Sequence, residues 1–127
     1  MKLRIRGNSL RIRVSKGELA AIAEAGAAED AVRFSPDMVL RYRVEVKPSG
    51  GVEADLRPPL LRVAVPKERV LQWLRPDEVS IEAEQAVGGG EVLKILIEKD
   101  YTCLAPRGDG EDDSDLFANP NKAKSRD

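Results

Sequence analysis

Charged and apolar residues alternate strictly at the start of this chain. Lys2-Leu3-Arg4-Ile5-Arg6 is followed by Gly7-Asn8, then by Ser9-Leu10-Arg11-Ile12-Arg13-Val14. A β-strand sends successive side chains to opposite faces, so a period of two gives one apolar face and one cationic face. A helix would spread both sets around its circumference. The two-residue Gly-Asn suits a type II′ hairpin turn. That register sets Ile5 against Leu10 and Leu3 against Ile12 on the apolar side. It sets Arg4 against Arg11 and Lys2 against Arg13 on the other.

The same alternation recurs downstream. Met38–Lys47 is the clearest case, and Val52–Arg57, Leu61–Val65, Val79–Glu84 and Val92–Lys99 follow it; Ala31–Ser35 reads as a shorter strand. Ser15-Lys16-Gly17-Glu18 is a capping box, which predicts a helix to about Ala25 ended by Gly26. Lys67–Leu74 reads as a second helix, with Val70, Trp73 and Leu74 on one side and Pro76 as its stop. Pro48–Gly51 and Ala86–Gly90 read as turns. Trp73 at helical spacing from Val70 reads as core.

The elements also repeat. Leu10-Arg11-Ile12-Arg13-Val14-Ser15-Lys16 matches Leu61-Arg62-Val63-Ala64-Val65-Pro66-Lys67, and Leu40–Glu45 matches Leu93–Glu98. Each half reads strand, strand, helix, strand, strand. The expected fold is therefore α+β: a curved, mainly antiparallel sheet of about eight strands, barrel-like if it closes, with two helices. Residues 1–104 form the domain. Residues 105–120 read as an acidic arm and 121–127 as a disordered tail.

Composition removes several kinds of chemistry. There is no histidine, so Ser–His and Cys–His nucleophiles and histidine metal sites are excluded. Cys103 is the only cysteine, so no internal disulfide forms, and it reads as a structural thiol. Charged residues make up 34% of the chain, yet the net charge is -1, which argues against a general nucleic-acid binder. No signal segment or membrane-length apolar run is visible, so the expectation is a cytoplasmic protein with no membrane partner.

The charged rows admit two readings. Arg4 and Arg11, about 5 Å apart, repel by roughly 1 kcal/mol in water and roughly 3 at an effective dielectric near 20. On an open face the side chains splay into solvent, the commoner situation for such rows. In a concave face the repulsion calls for an anion, and Arg4, Arg6, Arg11, Arg13, Arg41 and Arg43 would form an oxyanion site for a phosphorylated small molecule. A third, lesser possibility is a metal-dependent phosphohydrolase using Glu82, Glu84 or Glu98. No cofactor is indicated, and the balance leans against an enzyme.

The repeated strand-and-helix unit with charged strand faces resembles the CYTH-like triphosphate tunnel fold. That resemblance implies a wide barrel in which arginines and lysines bind triphosphate and glutamates hold a divalent metal. That family's Glu-x-Glu-x-Lys lies on its first strand; here the nearest match is Glu82-Ala83-Glu84, with Ala86 in the lysine's place. A closer resemblance, to a small bacterial family of uncharacterised proteins, rests on three stretches. They are Arg6–Arg11, Glu98-Lys99-Asp100-Tyr101-Thr102-Cys103-Leu104, and Glu111–Asp115 followed by Phe117 and Asn119-Pro120.

Asp109, Glu111, Asp112, Asp113 and Asp115 place five acids in seven residues. As an EF-hand loop the segment lacks its glycine, replaced by Ser114, and its bidentate glutamate, replaced by Pro120. It reads either as a solvated tail or as an arm folded onto the basic hairpin with Phe117 as its anchor. In the second reading the pairing occurs within one chain or between chains, and self-association follows.

Overall fold

A computed structural model describes residues 1–101 and 117. β1 (Lys2–Arg6) and β2 (Ser9–Val14) form the expected hairpin, with Leu3 opposite Ile12 and Arg4 opposite Arg11. Gly7 has φ 55° and, among the described residues, no non-glycine residue has positive φ, so the turn takes the II′ form, which needs a single positive φ. α1 (Lys16–Ala25) begins at the capping box. The Glu18 amide donates to Ser15 Oγ (3.3 Å) and the Ser15 amide to Glu18 Oε1 (2.9 Å). Gly26, at φ 92°, ends the helix in the left-handed conformation that glycine adopts without strain.

β3 (Ala27–Ser35) starts at once, four residues earlier than the alternation indicated. Glu29 and Asp30 break the apolar pattern, and the strand is drawn out by its ladder to β4 (Met38–Lys47), where Ala27 pairs with Glu45. β5 (Glu53–Arg57), β6 (Leu60–Pro66) and α2 (Lys67–Trp73) follow. β7 (Ser80–Gly88) runs through residues read as a turn, because its ladder to β8 (Glu91–Lys99) persists to Gly88 with an irregularity after Ala86. The reversal falls at Gly89 and Gly90, both at positive φ.

The class is α+β, with eight strands and two helices among the described residues. The strands divide into two mixed sheets, ordered β1-β2-β8-β7 and β3-β4-β6-β5. Hairpins supply the outer, antiparallel pairs. The central pairs β2/β8 and β4/β6 are parallel. Parallel neighbours need a long crossover, and here the chain leaves the first sheet through α1 and returns through α2. The central registers correspond: Leu10 lies opposite Ile95 and Leu61 opposite Tyr42. These are the positions that match between the two halves of the sequence. The sheets do not close into a barrel.

The apolar sides of both sheets meet the helices in one core. Ile12, Val14 and Ile97 from the first sheet, Val44, Val63 and Val65 from the second, and Ile22 and Trp73 from the helices are fully buried. Burial of such side chains is worth about 1.5–3 kcal/mol each, so sheets and helices stabilise one another. The Trp73 indole donates to Val79 O (3.1 Å), which satisfies its one polar atom.

Two contacts link the sheets at their margins. Gln85 of β7 bonds both the amide and the carbonyl of Ala54 on β5 (2.7 and 2.8 Å). Tyr42 Oη donates to Met1 O (3.3 Å), and the Met1 ammonium pairs with Glu18 and Asp30.

Beyond β8, the Asp100 amide donates to Val14 O (2.8 Å) and the Phe117 amide to Asp100 O (2.9 Å). Phe117 packs on the core margin, its ring 5.7 Å from that of Tyr101. Cys103 and the acidic run Asp109–Asp115 lie outside the described residues. No helix among the described residues is long and apolar enough to cross a membrane.

Candidate anion-binding groove

The charged side of the first sheet is turned away from the core and forms a cavity of about 730 Å³. All four strands of the sheet line it. Alternation aims Arg4 and Arg6 from β1, Ser9 and Arg11 from β2, Lys94 and Leu96 from β8, and Glu82 and Glu84 from β7 to this side. Cations occupy the β1–β2 flank and carboxylates the opposite edge. The volume falls within the range of small-molecule sites, about 300–1,000 Å³.

The hairpin turn is fastened to β8, which fixes the cationic flank. Asn8 Nδ2 donates to Val92 O (2.8 Å), and the Lys94 amide donates to Asn8 O (3.1 Å). Ser9 Oγ donates to Arg6 O (2.6 Å), so the hydroxyl serves the turn.

Glu98 divides the cations of this face into two groups. Its Oε1 accepts from Arg11 Nε (2.7 Å) and Arg13 Nε (2.6 Å). Lys2 Nζ lies 3.0 Å from the buried Asp100 carboxylate. Among the described residues, Arg4, Arg6 and Lys94 form no ion pair, and neither do Glu82 and Glu84. Arg4 stands directly opposite Arg11, so the repulsion expected from the sequence is present and is relieved on one side only, by Glu98.

Arg41 and Arg43 lie elsewhere, on β4 of the second sheet, where carboxylates surround them. Arg41 pairs with Glu29 (3.3 Å), and Arg43 with Glu45 (2.8 Å) and Glu29 (3.5 Å). Arg62 joins them between Asp55 (2.9 Å) and Glu45 (3.2 Å). The hydrogen bond that Arg43 donates to Glu45 raises the Arg43 pKa, and the one that Arg62 donates to Asp55 raises the Arg62 pKa. The six arginines read from the sequence therefore separate. Arg4, Arg6 and Arg11 line the groove, Arg13 flanks it on Glu98, and Arg41 and Arg43 belong to a neutralised network on the other sheet.

Lys94, Glu82 and Glu84 are the lining residues that the arginine pattern alone does not collect. Their alternation places them on charged faces, but only the parallel pairing of β2 with β8 brings them beside Arg11. That pairing joins residues some 85 positions apart, such as Leu10 and Ile95. Among the described residues no group of three or more metal-ligating side chains is gathered.

A family model described as a family of unknown function (DUF7009) matches residues 1–121. The chain belongs to that family. The matched span takes in both sheets, the groove and Phe117. No curated protein and no solved structure matches the chain.

Proposed function

We propose that this DUF7009 protein binds a phosphorylated small molecule in the groove of its first sheet. The observation that carries the reading is the contrast in pairing. Arg4, Arg6 and Lys94 converge on a concavity without carboxylate partners among the described residues, whereas the cations of the second sheet's network are paired. Guanidinium groups match phosphate oxygens bidentately, and an anion bridging Arg4 and Arg11 relieves their mutual repulsion. Glu82 and Glu84 on the far edge repel an anion and so bias it toward β1 and β2. Glu98 is engaged by two guanidiniums, which weakens the case for it as a metal ligand and supports binding over hydrolysis.

Tripolyphosphate or ATP at millimolar concentration should raise the melting temperature. Arg4→Ala with Arg6→Ala should abolish the shift, and Arg41→Ala should leave it intact. No shift in the unmodified protein, or equal loss in the Arg41 variant, would reject the groove.

A second reading rests on Phe117. Its contacts with Asp100 and Tyr101 bring residue 117 back to the end of β8, and in the sequence the acidic run lies between these two anchored points. An acidic run tethered there supplies counter-charge to the basic hairpin, within one chain or between two. Truncation after Leu104 should then lower the melting temperature, by less at high salt. An unchanged melting curve would reject it.

A further inference from the structure

β3 pairs with β4 and, among the described residues, with no strand on its other side. Hydrogen bonds on β4 fix which way its backbone groups point. The Arg41 amide donates to Pro59 O (2.8 Å), toward β6, and the Val46 amide to Gly26 O (2.8 Å), toward β3. Amide and carbonyl of one residue share a direction in an antiparallel ladder, and the direction alternates along the strand. Leu40, Tyr42 and Val44 therefore bond Val32, Asp30 and Ala28. The backbone groups of Glu29, Ala31 and Arg33 point out of the sheet. Consistent with this, the Ala31 amide is met by the carboxylate of its own neighbour, Asp30 (2.8 Å).

That edge is complementary to itself. Placed antiparallel about a twofold axis at Ala31, each Glu29 faces Arg33 of the partner subunit, and alanine faces alanine at the axis. Arg33 is the one cation on this side of the second sheet that lacks a carboxylate partner among the described residues. Among the described residues its guanidinium donates only to Pro36 O (3.0 Å). Phe34 and Val32 beside the edge are 68% and 42% exposed. The same axis brings Phe34 across from Ala28 of the partner subunit.

The other three edges fit a second copy less well. β1 carries Lys2, Arg4 and Arg6 in one row, which repels itself in any antiparallel register. β7 presents Glu82 and Glu84. The outward amide and carbonyl of Ala54 on β5 are already taken by Gln85.

We propose that β3 is the interface of a symmetric dimer, in which the two four-stranded second sheets join into one continuous sheet. The Glu29 and Arg33 rungs supply backbone hydrogen bonds, Ala31 joins them when the half-exposed Asp30 carboxylate gives up its amide, and the paired charges set the register.

Sedimentation of the full chain over a concentration series tests this. The unmodified protein should show a concentration-dependent dimer. Ala31→Pro removes an outward N–H that the β3–β4 ladder does not use, so it should yield monomer with an unchanged circular dichroism spectrum. Arg33→Glu replaces two symmetry-related attractions with repulsions and should weaken dimerisation about tenfold or more. Glu29→Arg and Arg33→Glu chains, each self-repelling, should pair with one another when mixed. A protein that is monomeric at every concentration, or a dimer indifferent to both Ala31→Pro and Arg33→Glu, would overturn the proposal.

Discussion

The two sheets share a plan and differ in how charge is wired across it. Arg11 and Arg62 hold corresponding places, each on the strand beside the parallel junction. Opposite Arg62 stands Asp55; opposite Arg11 stands Arg4. On the other side Arg62 meets Arg43, and Arg11 meets Leu96. In the second sheet Glu29, Glu45 and Asp55 therefore share four arginines among them, and each of these cations meets a carboxylate within the face. In the first, one glutamate serves Arg11 and Arg13, and Arg4, Arg6 and Lys94 face the cavity. Uncompensated like charge destabilises a compact state. A sheet that keeps it where an equivalent sheet has neutralised it has given up stability at that place, which is the ground for proposing the first sheet as the binding one.

Removing the matched acids breaks this comparison most directly. Glu98 on β8 and Glu45 on β4 occupy corresponding positions, and each accepts from two arginines. Glu45→Ala leaves Arg62 with Asp55 and Arg43 with Glu29. Glu98→Ala leaves Arg11 and Arg13 without an ion pair among the described residues, beside Arg4 and Arg6. The arginines are a third or more exposed, which discounts the loss for solvent screening. Glu98→Ala should still cost about 1–2 kcal/mol at low salt and Glu45→Ala less than about 1. Urea unfolding with and without added salt measures both, and salt should recover most of the Glu98 deficit. Equal losses would mean that both faces are equally balanced. Addition of tripolyphosphate should narrow the gap, because the ligand replaces the missing acid as a counter-charge.

Local chemistry made much of this legible in advance. Alternation located most strands, Gly7-Asn8 fixed the first register, and the Ser15–Glu18 box with Gly26 bounded α1. Matching Leu10 to Leu61 and Tyr42 to Ile95 anticipated that the two halves share one element order. What stayed hidden was long-range. A parallel pairing of the first hairpin with the last leaves no mark in either hairpin, so one expected sheet becomes two. For the same reason Arg41 and Arg43 read as companions of Arg11 although they lie on the other sheet. The start of β3 was obscured by Glu29 and Asp30. These acids serve an ion-pair network and a capped edge amide, so they break the apolar rhythm without breaking the strand.

A smaller effect sharpens the comparison at the opposite end of the sheets. The inner row of β4 continues from Val44 to Val46, whereas that of β8 continues from Ile97 to Lys99. Lys99 is 5% exposed, and its ammonium donates to Arg75 O beyond α2 (2.8 Å) and lies 5.4 Å from the Phe117 ring. Burial lowers its pKa below 10.5, and the charges of Asp77 and Glu78 oppose that shift. Between the native value and 10.5 the unfolded chain binds the proton more tightly, so stability rises with pH through that window and is lost as pH falls. Tyr42 and Tyr101, both raised by burial, act in the opposite sense as pH passes 10.0. Comparison with Lys99→Met removes their contribution and keeps the length of the side chain. The stability of the unmodified protein relative to this variant should therefore grow as pH climbs from neutrality toward the ordinary lysine value. A difference that stays flat would show a solvated ammonium, and the first sheet would then differ from the second at its groove alone.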